Sequence, residues 1–278
     1  TSKKAAGVAA DLAEISVATV LDAEQVGSYE ALGDADLFDM EYWSLEQAKL
    51  GKGQAKPLQR QVAVISGGGG TIGQATARLF AEQGAEIVVL DLDGPAAKRV
   101  CDDIGGNALG LACDVTDAMQ VRQAFDQICR VFGGIDILVS NAGGAPESWQ
   151  GAAADLDEVV LRKSFELNFF SHQLMAQQAV RIMRAQGTGG VLLFNASKQA
   201  VNPGENFCAY GLPKAATLFL SRQYALENGR YGIRSNAVNA DRIRSGLLTD
   251  EMINTRSSAR GLSESEYLSG NLLGKEVE

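Results

Sequence analysis

The chain has 278 residues, a formal net charge of −9 at pH 7, and 46% hydrophobic residues. That length accommodates one α/β domain with an appendage, and the apolar content suffices for a packed core. The acidic balance, without any basic cluster, argues against a nucleic-acid surface, and no apolar run approaches membrane-spanning length.

The start, Thr1-Ser2-Lys3-Lys4, has no signal-peptide core behind it. Cys101, Cys113, Cys129 and Cys208 are scattered, with no C-x-x-C, so reduced thiols in a cytoplasm and small-hydrophobe roles are expected. His172 is the single histidine, which excludes a histidine-rich metal site, and no metal is expected. Any Ser-His-Asp triad would need it, but its apolar helical surroundings favour a packed or surface histidine.

Residues 1–56 do not read as part of a nucleotide fold. Lys4 to Val26 is Ala-rich with Val8, Leu12, Ile15 and Thr19 at helical spacing, which predicts one amphipathic helix. A second helical piece is expected over 45–50, after Phe38-Asp39-Met40-Glu41-Tyr42-Trp43. That run sets aromatic residues beside acids and suits docking onto another surface. Gly51-Lys52-Gly53-Gln54-Ala55-Lys56-Pro57 reads as a flexible polar linker. A preface ending in such a linker, with Thr1 at its head, suggests that the natural protein continues upstream.

From residue 58 onward, apolar strands at 61–66, 86–91, 108–113, 135–140, 190–195 and 232–238 alternate with helical patterns near 72–83, 95–104, 117–132, 155–186 and 207–228. This alternation implies βαβ units. Right-handed crossovers then give a doubly wound parallel sheet of the α/β class, occupying 57–278 behind an N-terminal helical linker. After Ser245 the pattern is helical and polar, without another clear strand.

The first strand, Gln61 to Ser66, breaks into Gly67-Gly68-Gly69-Gly70, and Thr71-Ile72-Gly73 opens the next helix. Gly68, Gly70 and Gly73 fit G-x-G-x-x-G. Strand, glycine turn and helix make a phosphate-binding unit of the Rossmann kind. Residues without a Cβ admit a pyrophosphate, and the free N–H groups of the helix start hold its charge. Gly67, Gly70, Thr71, Ile72 and Gly73 are the candidate contacts. A second apolar run, Ile87 to Leu90, ends at Asp91, placed to accept hydrogen bonds from the adenosine ribose and to repel a 2′-phosphate. No Arg or Lys follows until Lys98, so NAD is expected rather than NADP. The alternative is that Asp91 only starts the turn at Asp93-Gly94-Pro95.

Ligands of such sheets bind beyond the carboxyl ends of the strands. Asp114-Val115, Asn141-Ala142-Gly143-Gly144, Asn195-Ala196-Ser197 and Asn239-Ala240-Asp241 all follow strands, consistent with one long cleft. Tyr210 and Lys214 share a helix face four residues apart. An ammonium beside a phenol favours the phenolate, a usable general acid/base. Ser197 could hydrogen-bond the same substrate oxygen.

These pieces, with Asn168 and Gly232-Ile233-Arg234-Ser235-Asn236-Ala237-Val238-Asn239, resemble the short-chain dehydrogenase/reductase family over about 58–278. The resemblance implies a catalytic tetrad of Asn168, Ser197, Tyr210 and Lys214. Tyr210 would exchange the hydroxyl proton, Ser197 orient the carbonyl, and Lys214 tune Tyr210 and hold the nicotinamide ribose. Asn168 would fix a helix and a relay water. Asn141, Ala142 and Gly143 would line the adenosine side, and Asp114 and Val115 would flank adenine. The family usually forms dimers or tetramers, so a homo-oligomer is expected.

The chain departs from the family pattern in places. Thr71 stands where a glycine is usual, which also fits the extended branch with its epimerases and dehydratases. Ala240-Asp241 replaces Pro-Gly, leaving Asp241 as a substrate contact or a turn residue. Pro213 precedes Lys214 and threatens its position. The usual seventh strand is not visible. Phe38 to Leu50 is similar to the join in bifunctional aldolase/short-chain dehydrogenases, which carry a class II aldolase upstream. In those proteins the aldolase splits rhamnulose 1-phosphate and the dehydrogenase oxidises lactaldehyde. The expected activity is therefore an NAD-dependent dehydrogenase acting on a small hydroxy-aldehyde, alcohol or sugar-derived carbonyl. An epimerase or dehydratase recycling NAD, and a non-catalytic dinucleotide-binding module, are the alternatives. Gln199, Asn202, Asn206 and Asp241 are the residues that could face the substrate.

Overall fold

A computed structural model of the chain describes residues 3–41, 56–246, 248–271 and 274–276. Helix α1 spans Lys3–Val26 and α2 spans Asp34–Glu41. Val8, Leu12, Ile15 and Leu21 on α1 are all half exposed or more. The aromatic-acidic segment was not expected to be helical, yet its first part lies in α2. Asp34 and Asp36 in the first turn suit the positive end of that helix. The expected helical piece at 45–50, most of the linker, and Tyr42 and Trp43 lie outside the described residues.

Strands β1 (Val62–Ser66), β2 (Glu86–Asp91), β3 (Leu109–Ala112), β4 (Ile137–Ser140), β5 (Gly190–Asn195) and β6 (Ile233–Val238) form one sheet in the order β3-β2-β1-β4-β5-β6. Every neighbouring pair is parallel. The order reverses between β1 and β4, and a crevice opens at that switch point beyond their carboxyl ends. A seventh strand is not among the described residues.

The crossovers are α3 (Thr71–Glu82), α4 (Gly94–Ile104), α5 (Ala118–Phe132), α6 (Glu158–Phe165), α7 (Ser171–Gln186) and α8 (Cys208–Asn228). Their starts are fixed by local chemistry: Asp93 caps α4 with Pro95 in its first turn, Asp117 caps α5, and Asp157 caps α6. The single helix expected over 155–186 is two helices joined by a π turn, Glu166–Phe170.

Side chains alternate across β1, so Val62 and Val64 join one core layer and Ala63 and Ile65 the other. The first layer also holds Leu90, Phe125, Leu138, Met175 and Leu192; the second holds Ala77, Ile87, Val100 and Val139. Both sheet faces are therefore covered, which is why the strands read as unbroken apolar runs. Beyond β6, α9 (Asp250–Ser258) and α10 (Glu264–Ser269) pack on each other through Leu248, Ile253, Tyr267 and Leu268. No helix among the described residues is long and apolar enough to cross a membrane.

The turn after β1 tolerates no side chain at its closing glycine. A Cβ on Gly73 would lie 2.2 Å from the Gly67 carbonyl oxygen and 2.6 Å from the Gly68 Cα, whereas one on Gly70 would meet only Gly67 O at 3.5 Å. Gly73→Ala should therefore cost about 1–3 kcal/mol in urea unfolding. Gly70→Ala should change stability by less than about 1 kcal/mol.

Candidate active site

The glycine turn seats directly on the loop after β4. Gly67 is left-handed (φ +62°), and a Cβ there would lie 2.9 Å from the Ala142 Cα. Ser66 Oγ accepts from the backbone N–H groups of Asn141 and Ala142 at 2.9 and 3.1 Å. Asn141 Nδ2 donates back to the carbonyls of Ser66 and Gly67 at 3.1 and 3.2 Å. Gly68 lies against Val89, where a Cβ would meet Cγ1 at 2.6 Å. Gly70 is the N-cap of α3 and offers no side-chain hydrogen bond, so the amides of Thr71, Ile72 and Gly73 open the helix uncapped. A phosphate group fits this cradle of bare backbone and helix N-terminus.

Asp91 at the end of β2 is tied to the same turn. Its carboxylate accepts from Gly69 N at 2.9 Å and from Asp93 N at 3.0 Å. One carboxylate oxygen therefore serves the glycine turn and the other serves the turn at Asp93. The nearest cations on α4 are engaged elsewhere: Lys98 pairs with Asp102 at 2.9 Å, and Arg99 lies 3.9 Å from Asp93. After β3, Asp114 accepts from Thr116 N and Oγ1 at 2.9 and 2.7 Å, and Val115 is buried beside it.

The four expected tetrad residues come from α6–α7, the β5 end and α8. Asn168 is fully buried in the π turn. It clamps Gly144 from both sides, accepting from its N–H at 3.1 Å and donating Nδ2 to its carbonyl at 2.9 Å. Its own carbonyl accepts from Thr217 Oγ1 of α8 at 2.8 Å. Ser197 Oγ accepts from Gln199 N at 3.2 Å, and its hydroxyl lies near enough to the Tyr210 phenol to favour the ionised form. Lys214 Nζ lies 5.7 Å from the Tyr210 ring centroid and donates to the Asn195 carbonyl at 2.8 Å. Pro213, the neighbour that threatened this placement, is buried inside α8, and the helix runs on through it.

Beneath Lys214 lies His172, completely buried, with Nε2 3.5 Å from Nζ and Nδ1 2.7 Å from Ser140 Oγ. Burial and then the Lys214 charge hold the imidazole well below its usual range, so it is neutral. Burial also pushes Lys214 down to about 7.

One expectation is corrected here. Lys214 was expected to lower the Tyr210 pKa. Burial instead raises it, and the only opposing influence is the hydrogen bond from Ser197. Lys214 lies to one side of the phenol, and its donated bond goes to Asn195, not to the phenolic oxygen.

Ser197, Tyr210, Lys214, Asn141, Gly143 and Ile72 share one cleft of about 670 Å³. Gln199, Asn202, Asn206 and Asp241 line it too. Asp241 is neither free nor a bare turn residue, because Lys198 Nζ lies 3.3 Å and Arg242 Nε 4.0 Å from its carboxylate. Arg242, left-handed at φ +53°, also donates to the carbonyls of Tyr267 and Gly270 and so fixes α10 over the cleft. Thr217 was not singled out from the sequence, Asn195 was read only as a strand-end residue of the cleft, and His172 only as a packed or surface histidine. Only the spacing of His172, one helical turn after Asn168, carried a signal.

The profile described as "Enoyl-(Acyl carrier protein) reductase" matches residues 68–276, and "Aldolase class II, second domain" matches residues 1–50. "Uncharacterized oxidoreductase YuxG" of Bacillus subtilis (strain 168) is 35% identical over 241 residues, 83% of this chain. The chain spans only about a third (34%) of that relative's length. A short-chain type dehydrogenase/reductase from Mycobacterium marinum superposes with a TM-score of 0.71 at 31% identity, covering 80% of this chain and 85% of that one. The 3-ketoacyl-(acyl-carrier-protein) reductase from Brucella melitensis, complexed with NADH, gives a TM-score of 0.67 at 29% identity, over 72% of this chain and 83% of its own.

The buried Lys214 makes stability depend on pH. Its folded pKa lies below the unfolded value, so folding is penalised fully below about pH 7, and the penalty fades as pH rises toward the unfolded pKa. Lys214→Met removes the penalty. Its stability relative to the parent protein should fall by roughly 2 kcal/mol between pH 7.5 and 9.5 in urea unfolding. His172 is neutral in both states across this window and does not contribute.

Proposed function

The chain belongs to the short-chain dehydrogenase/reductase family, and we propose that it is an NAD-dependent dehydrogenase for a small hydroxy-aldehyde, alcohol or sugar-derived carbonyl. One observation carries this reading: Ser197, Tyr210 and Lys214 line one cleft with Ile72, in the first turn of the helix that follows the glycine turn.

NAD supplies the hydride acceptor, or as NADH the donor in the reverse direction. The residues that would hold it are Gly67, Gly70, Thr71, Ile72 and Gly73 at the phosphates, and Asp91 at the adenosine ribose. Asp114, Val115, Asn141, Ala142 and Gly143 would line its path toward Lys214. Asp91 keeps acceptor capacity beyond its two backbone bonds, and among the described residues the α4 cations Lys98 and Arg99 lie at Asp102 and Asp93. The Brucella reductase, crystallised with NADH, supports the same coenzyme.

Tyr210 exchanges the hydroxyl proton with the reacting oxygen. Ser197, which accepts from Gln199 N–H, donates its one proton to that oxygen and keeps a second lone pair for the phenol proton. Lys214 supplies positive charge beside the ring and presents further N–H donors to a ribose. Asn168 sets the geometry, holding the Gly144 loop and α8 together.

Lactaldehyde is one candidate substrate. The N-terminal match to a class II aldolase domain and the length of the Bacillus relative support an upstream aldolase in the natural protein. In this reading the protein is cytoplasmic and a homo-oligomer.

Tyr210→Phe should lower turnover about 10²–10⁴-fold while NAD binding, followed by fluorescence quenching, stays close to that of the parent. Unchanged turnover would remove the assignment. Asp91→Asn should lower the ratio of kcat/KM for NAD over NADP by about tenfold, the size of one charge-assisted hydrogen bond.

A further inference from the structure

The cleft carries more positive charge than its catalysis uses. Lys198, Lys214, Arg242, Arg256 and Arg260 line it, against the carboxylates of Glu205 and Asp241, in a chain whose net charge is −9. Most of these cations have assigned partners. Lys198 and Arg242 face Asp241, and Lys214 is held by Asn195 below Tyr210. Arg256 and Arg260 differ. Among the described residues, neither has a carboxylate within ion-pair distance.

Their setting is built. The half-buried Arg256 of α9 stacks its guanidinium 5.5 Å over the ring of Phe207. Stacking engages the flat face of the fork and leaves its in-plane N–H donors for other partners. Phe207 caps the start of α8, and its carbonyl accepts from Tyr210 N at 3.1 Å. Arg256 is thereby held against the residue that opens α8, three positions before Tyr210, and both line the cleft. Arg260 follows a turn later on the chain, bonds the Arg256 carbonyl at 2.9 Å, and leans on the Tyr267 ring at 5.6 Å. A guanidinium fork of this kind matches the paired oxygens of a carboxylate or phosphate, and a partly desolvated cleft strengthens the bond.

The geometry points to an anion subsite at this end of the cleft: the substrate carries a carboxylate or phosphate that Arg256 grips with Arg260 beside it, while its hydroxyl carbon lies against Tyr210. This rests on the dehydrogenase reading and, because lactaldehyde carries no anionic group, favours small hydroxy acids or phosphorylated hydroxy compounds over it. The reaction stays balanced. The alcohol carbon gives its hydride to NAD, the hydroxyl proton passes to Tyr210, and the anionic group is unchanged.

The test uses oxalate and inorganic phosphate as probes, titrated calorimetrically into the NAD-saturated protein. At least one should bind, and Arg256→Gln should weaken it about tenfold or more. Arg256→Lys, which keeps the charge and loses the fork, should fall between. Whichever probe binds more tightly identifies the carboxylate or the phosphate as the group. Tyr210→Phe should bind the probe as the parent does, so a failed catalytic assignment leaves this result standing. In steady state the probe should compete with the alcohol and not with NAD. Absence of binding by both probes, equal binding by Arg256→Gln, or competition against NAD would each overturn the subsite.

Discussion

A lysine buried in the middle of the molecule is the constraint around which the cleft is arranged. An ammonium removed from water is costly unless the protein supplies acceptors in its place. Lys214 obtains them from two different elements. The β5 end gives the Asn195 carbonyl at 2.8 Å, and α7 gives His172 Nε2 at 3.5 Å. The side chain of Asn195 then donates to Asn141 Oδ1 at 2.8 Å, and Asn141 braces Ser66 and Gly67. A continuous run of polar contacts therefore joins the cation to the glycine turn. Displacing α8 would leave these groups unpaired, so the proton-transfer site and the phosphate cradle hold each other in register.

His172 completes that arrangement from below. An ammonium at Nε2 requires the imidazole to accept there, so the ring proton resides on Nδ1 and is donated to Ser140 Oγ. Two adjacent buried cations would repel strongly, and the neutral imidazole avoids this. Asn168 lies one turn earlier in the π segment, a feature that recurs at functional sites because it re-aims side chains within an otherwise regular helix. Here it lets one stretch serve Gly144, Thr217 and Lys214 together.

The sheet was legible because its strands are buried on both faces, and such runs stand out as unbroken apolar segments. All six expected strands are present, and the largest difference is at the start of β4. Asp136 there bonds both neighbouring strands through its backbone, donating to Val62 O at 3.0 Å and accepting from Val191 N at 2.8 Å, and its carboxylate also accepts from Val62 N at 2.8 Å. The closing glycine of the turn was equally legible, since Gly73 acts through local geometry. The π turn was not, because it is a hydrogen-bond shift with no residue signature. Nor was the role of His172. The sequence reading found it on an apolar helical stretch, and only tertiary packing brings a lysine from α8 against its ring. Pro213 shows the opposite limit, a local warning that packing overrides. Lys214 reaches its place although proline stands inside α8.

Charge shows a similar separation between whole and part. A net charge of −9 describes how the molecule behaves in bulk and says little about what its cleft attracts. Much of the acidity is spent locally on helix caps and on exposed pairs such as Lys98 with Asp102 and Arg162 with Glu158. Inside the cleft the one paired carboxylate, Asp241, is shared by two cations and so does not make that wall acidic. Exposed or half-exposed pairs of this kind contribute little stability and rearrange cheaply. The wall around Tyr210 can therefore present positive charge to an incoming molecule even though the chain as a whole is acidic, and the sign that selects a ligand is set by a handful of arginines on α9 and its approaches.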